Sequence, residues 1–179
     1  MKLADAIQQF QNLDQKGIYV FSRMDIQKMF PHEGEKALEK SLNRLCRDGV
    51  LERVCKGIYV NKLATTPKDR IIEDIAMVLR RGFYSFVSLE SILSEYGDIS
   101  QIPVSVLTVM TTGAKGTYRT NYGTIEFTHT KRTVAQILQR TVQDPTRRLR
   151  LASRIEARKD LKRVGRNVAM IELNEELPS

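Results

Sequence analysis

Apolar residues return at helical spacing three times in the first fifty positions, and each run ends in a recognisable stop. Leu3, Ile7, Phe10 and Leu13 predict a first helix that closes before Gly17. Ser22 followed by Asp25 resembles a capping box opening a second helix with Met24, Ile26, Met29 and Phe30, which Pro31 ends. A third helix is predicted over about residues 33–48, where a step of about 100° per residue places Leu38, Ser41, Leu42, Leu45 and Cys46 on one arc. Gly49 is its left-handed stop.

The words "GIYV" occur at residues 17–20 and again at 57–60. The first copy is followed by "FSRMDIQKMF" and the second by "NKLATTPKDR", so the match is limited to strand-like residues and is not an internal repeat. "VLERV" and "IYV" flank a turn at Lys56 and Gly57 and predict two short antiparallel strands. The order helix, strand, helix, helix, strand, turn, strand predicts a winged helix-turn-helix over residues 1–66, with the two GIYV segments as first and last strands of one small sheet.

"TTPKD" marks a connector, after which residues 67–179 form a second domain. Ile71, Ile72, Ile75, Met77, Val78 and Leu79 lie on a helix, and "VSLESILSEYG" is another, closed by Gly97. "PVSVLTVMTTG" is β-rich, and "TYRTNYGTIEFTHT" reads as a hairpin turning near residues 121–123. Alternation of Ile125, Phe127 and His129 with polar neighbours predicts one buried face, with His129 packed or hydrogen-bonded rather than catalytic. Asp144 and Pro145 read as a helix start, beyond which Arg147, Arg150, Arg154 and Arg158 fall within about 80° of one another, with Leu149, Leu151, Ala152 and Ile155 on the adjoining arc. The terminal "IELNEELPS" is acidic and strand-like. The fold class is therefore α+β: a winged helix-turn-helix followed by a mixed α/β domain with a small antiparallel sheet.

Charge turns this architecture toward a partner. The net charge of +8 favours an anionic one, and residues 131–179 hold 12 Lys or Arg against 6 Asp or Glu. On the third helix, Lys36, Lys40, Asn43 and Arg47 point almost opposite Leu38 and Leu45, with Arg44 flanking them. These side chains suit a DNA major groove, where Arg and Lys donate to guanine or phosphate and Asn pairs with adenine; Arg53 and Lys56 on the strand pair are placed for the neighbouring backbone. The C-terminal arginines form a second basic surface whose partner is solvent, nucleic acid or an acidic protein.

Other chemistry finds little support. Cys46 and Cys55 cannot make a disulfide framework, Cys46 reads as a core thiol, and Cys55 beside Lys56 is reactive only if exposed. His32 and His129 are too far apart in sequence for a local metal site, so no metal or cofactor is expected. "TTGAKGT" lacks the spacing of a phosphate loop and leads into strand-like sequence, and Glu73 and Asp74 are adjacent on a helix and so diverge. No enzyme activity is expected. Without an apolar run of about 20 residues or a signal-peptide pattern, the expected location is the cytoplasm, with no membrane partner.

Across roughly residues 20–130 the chain resembles the AbiEi-type antitoxins of type IV toxin-antitoxin systems. The resemblance is carried by "SLNRLCRDGVLERVCKGIYV", "SFVSLESILSEYGDI", "PVSVLTVMTTG" and "YGTIEFTH". It implies a winged helix that represses its own operon, and a C-terminal domain that counteracts a nucleotidyltransferase-like toxin without a stable complex. The partner would be double-stranded promoter DNA with inverted repeats, bound by two copies. By position on the helix, the DNA-reading role carries onto Lys36, Lys40, Asn43, Arg44 and Arg47. Two alternatives stay open: a winged-helix regulator without a toxin, and an RNA- or protein-binding adaptor using the C-terminal arginines.

Overall fold

The computed structural model describes residues 1–99 and 105–165, and the acidic C-terminal segment lies outside them. The described residues form an α+β protein of two compact units, the first Met1–Leu79 and the second beginning at Arg80.

In the first unit α1 (Leu3–Asp14), β1 (Val20–Ser22), α2 (Arg23–Met29), α3 (Glu35–Arg47), β2 (Leu51–Cys55), β3 (Ile58–Asn61) and α4 (Ile71–Leu79) follow in order. The three strands form an antiparallel sheet in the order β1-β3-β2. Against it pack Ala6 and Phe10 of α1, Ile26 of α2 and Leu38, Leu42 and Leu45 of α3, all essentially inaccessible to water. Burial of this kind stabilises by about 1.5–3 kcal/mol per large side chain, more than the few tenths of a kcal/mol, roughly, by which glycine at the Gly34 cap position falls short of a side-chain cap. Packing, rather than its own ends, therefore holds α3 in place.

The two GIYV copies differ in use. Gly17 takes φ 72° and closes the end of α1, its N–H donating to Asp14 O at 2.7 Å while Ile18 N–H donates to Leu13 O at 2.9 Å. The chain becomes a strand only at Val20, so the copies meet at one register position, Val20 opposite Val60. In the second copy Gly57, at φ +76°, is the hairpin turn and the strand follows at once.

The unit boundary falls after α4, not at residue 66. Tyr19, buried in the sheet layer, donates its hydroxyl to Asp74, and α4 packs on β1 and β3. The connector is tied as well: Asp14 accepts from the N–H groups of Thr65 and Thr66 at 2.7 and 3.2 Å and from their hydroxyls at 2.8 and 2.6 Å.

The second unit departs from the small antiparallel sheet expected. Its strands are β4 (Ser85–Val87), β5 (Val106–Thr111), β6 (Gly116–Thr120), β7 (Gly123–His129), β8 (Thr141–Val142) and β9 (Arg150–Ala152). They form one six-stranded mixed sheet in the order β6-β7-β5-β4-β9-β8, in which β5 pairs parallel with β7 and β4 parallel with β9. Helices α5 (Glu90–Glu95), α6 (Val134–Arg140) and α7 (Arg154–Val164) complete the unit. "VSLESILSEYG" is thus divided between strand and helix, with Leu89 at φ 59° between them. His129 ends β7 exposed, unlike buried Ile125 and Phe127, and its Nδ1 lies 2.8 Å from Gly113 O. No helix among the described residues is long and apolar enough to cross a membrane.

Burial opposes ionisation of Asp14, but the hydrogen bonds from Thr66 and Thr65 outweigh it and hold the carboxyl down at about 2, below its ordinary 3.8. Because the folded value is depressed, the stabilisation is complete above about pH 4 and is lost as pH falls toward about 2. In urea unfolding series between those values, Asp14→Asn is expected to remove this pH-dependent part of the first unit's stability.

Candidate nucleic-acid interface

With Leu38, Ser41, Leu42 and Leu45 buried, the opposite side of α3 faces solvent, and Lys36, Lys40, Asn43 and Arg47 are all exposed there. Lys36 and Lys40 make no side-chain hydrogen bond or ion pair among the described residues, and Arg47 reaches only Asp48, at 3.3 Å on the surface. Arg44 does not share this face. It is half-buried on the flank toward α1 and donates to Met1 O at 2.6 Å, so it braces the start of the chain instead of pointing outward.

The other flank of α3 opens onto a cleft of about 440 Å³ whose far wall is the β2–β3 hairpin. Lys36, Glu39 and Asn43 line it from α3, Arg53, Lys56 and Tyr59 from the hairpin, and Arg23 from the start of α2. Lys36, Asn43, Arg53 and Lys56 thus line one cleft, whereas Lys40 and Arg47 stand on the open face beside them. A register irregularity between Arg53 and Cys55 and the tight turn at Gly57 shape the hairpin tip, where Lys56 is exposed.

Arg23 is the cation that pattern reading missed. The observed capping box, with Ser22 Oγ accepting from Asp25 N–H and the Asp25 carboxylate accepting from Ser22 N–H, makes Arg23 the first residue of α2. Its N–H donates to Gly57 O at 2.8 Å, which ties that helix start to the hairpin turn. The guanidinium pairs with Glu35 at 3.3 Å, leaving Lys36, Arg53 and Lys56 against Glu39 in the cleft. The balance is cationic. Burial raises the pKa of the Cys46 and Cys55 thiols and of the Tyr59 phenol, so all three stay protonated at neutral pH.

The expected second basic surface is dismantled by the fold. Asp144 turns the chain by accepting from Thr146 N–H at 2.7 Å, residues 150–152 join the sheet beside β4, and α7 starts only after its cap Ser153. Arg147 is buried and donates to both Glu95 carboxylate oxygens at 2.8 Å. Arg150 donates to Thr141 Oγ1 and O, each at 2.7 Å. Arg154 and Arg158 converge on buried Asp98, at 2.9 and 3.0 Å through their Nε groups. The hydrogen bond from Arg154 holds the Asp98 carboxyl below its ordinary range against the effect of burial, and Arg158 adds to it. No single helix carries the four arginines, and each has an internal partner.

Elsewhere, "TTGAKGT" runs from the end of β5 into β6, so a strand follows it where phosphate binding requires a helix start. Glu73 is buried against Arg70 at 3.4 Å, and Asp74 holds Tyr19. His32 is exposed in the turn before α3. Among the described residues no three His, Cys, Asp or Glu side chains are grouped to hold a metal ion. The chain matches no known family model and no curated protein.

Free and engaged cations should respond differently to truncation. Arg147→Ala removes a buried side chain and its bonds to half-exposed Glu95, and the gap it leaves is expected to destabilise the second unit by about 1 kcal/mol or more. Lys36→Ala and Lys40→Ala should stay within about 0.5 kcal/mol of the parent chain in the same denaturant titrations.

Proposed function

We propose that the first unit is a winged helix-turn-helix that reads double-stranded DNA with α3, and that the chain is a transcriptional repressor acting on its own promoter. The observation that carries the reading is the open arc of Lys36, Lys40, Asn43 and Arg47 beside a hairpin bearing Arg53 and Lys56. A helix of 13 residues extends about 20 Å, enough to lie along a major groove, and the hairpin is then placed for the adjoining backbone. Donors without internal partners are the ones able to exchange water and counterions for phosphates and base edges. Arg44 takes no part in this contact.

The antitoxin role rests on the resemblance to AbiEi-type proteins, and in this reading the second unit counteracts a nucleotidyltransferase-like toxin encoded beside it. A winged-helix regulator without a toxin is the second reading, and it uses the same surface. The adaptor reading is less favoured, because Arg147, Arg150, Arg154 and Arg158 are engaged within the second unit.

Fluorescence anisotropy on DNA from upstream of the gene, against scrambled DNA across a salt series, tests the first reading. Sequence-reading repression predicts a preference of about 10³ or more for the upstream DNA. Lys40→Ala should weaken binding to both duplexes and reduce the salt slope by about 1, while Arg44→Ala leaves affinity near that of the parent. Equal, steeply salt-dependent binding to both duplexes would leave only an electrostatic contact. Co-expression with the neighbouring gene tests the antitoxin role: relief of its toxicity is expected, and continued toxicity would remove that role.

A further inference from the structure

The cleft contains a carboxylate that a purely phosphate-binding surface would exclude. Of the two acidic residues lining it, Glu35 is paired with Arg23, whereas Glu39 is exposed and makes no side-chain hydrogen bond or ion pair among the described residues. Glu39 lies on the side of α3 turned toward the hairpin, and with Lys36 and Asn43 it spans an arc of about 60° at 100° per residue. The three side chains offer complementary chemistry. An ammonium donates to guanine O6 and N7, a carboxamide pairs with adenine N6 and N7, and a carboxylate accepts from cytosine N4.

Spacing along the helix matches spacing along DNA. From residue 36 to residue 43 the axis advances about 10 Å at 1.5 Å per residue, the length of about three base pairs at 3.4 Å each. Near a phosphate backbone a carboxylate weakens binding to every sequence, and an amine on a base edge offsets that repulsion; cytosine N4 offers one without the neighbouring N7 acceptor that would repel a carboxylate at adenine. Glu39 thereby costs affinity on most sequences and restores it on one.

We infer that Glu39 is a specificity-determining residue that selects a cytosine in the DNA site, beside an adenine read by Asn43. The inference rests on the proposal that α3 reads DNA, and it names which base edges the cleft flank recognises.

The test is selection of bound duplexes from a random pool by the full chain, followed by titration of the selected sequence and its single-base-pair variants. The parent chain is expected to enrich one cytosine close to the adenine whose preference Asn43→Ala erases. Glu39→Ala should flatten discrimination at that cytosine by about 10-fold or more and leave other positions unchanged, and Glu39→Gln should move the preference there toward adenine. Uniformly tighter binding of Glu39→Ala to all duplexes, with the same preferences as the parent, would overturn the inference while leaving DNA reading intact. A parent chain that enriches no sequence would overturn the DNA-reading proposal itself, and this inference with it.

Discussion

Burial of Leu38, Leu42 and Leu45 beneath α1, α2 and the three-stranded sheet is the constraint on which the first unit depends. A helix has only one rotation about its axis that hides these three side chains together. That rotation presents Lys36, Lys40, Asn43 and Arg47 to solvent, turns Glu39 toward the hairpin and leaves Arg44 on the side of α1. The hairpin is referred to the same core through Leu51 and Tyr59, and α2 is joined to its turn by the bond from Arg23 N–H to Gly57 O. The candidate interface is thus the outer surface of a packing solution, held by apolar contacts that salt does not screen.

The second unit uses charge for a structural purpose. Asp160 is inaccessible to water, accepts from Ser88 Oγ at 2.9 Å and pairs with Arg132 at 2.6 Å, while Glu156 joins Arg132, Arg140 and Lys159. Helix α7 buries only Ala157, Asp160 and Leu161, so these pairs and those of Asp98 contribute much of its docking specificity. A carboxylate at the centre of several arginines must keep its partners, since breaking a buried pair leaves a desolvated charge. The basic excess of the C-terminal region is for this reason partly consumed inside the protein, and its net charge overstates the cationic surface.

Much of the first unit was legible because its signals are local. The capping box at Ser22, the left-handed glycine at Gly49 and the hairpin turn at Gly57 depend on neighbours within a few residues, and the structure contains all three. The apolar arc of α3 was equally readable, since a fixed angular step relates its members. The first GIYV misled because Gly17 closes a helix rather than opening a strand, a choice set by the carbonyls of Leu13 and Asp14. Arg23 was overlooked because its place beside the hairpin turn is a non-local contact, although its position just after the capping serine marked it as the first residue of a helix.

Helical spacing placed Arg147, Arg150, Arg154 and Arg158 on one stripe, but β4 needed a parallel neighbour and residues 150–152 supplied it. Strand pairing in a six-stranded sheet outweighs the weak local preference of so short a segment, and α7 begins only where the sheet releases the chain at Ser153. By itself the sequence determined where α3 ends, which of its faces is apolar, and which residues lie opposite, because periodicity and the glycine stop are properties of adjacent residues. Tertiary structure alone decided which cations remain open to solvent and which are neutralised, because a charge finds its partner in space, often fifty or more positions away along the chain, as Arg147 finds Glu95 and Arg154 finds Asp98.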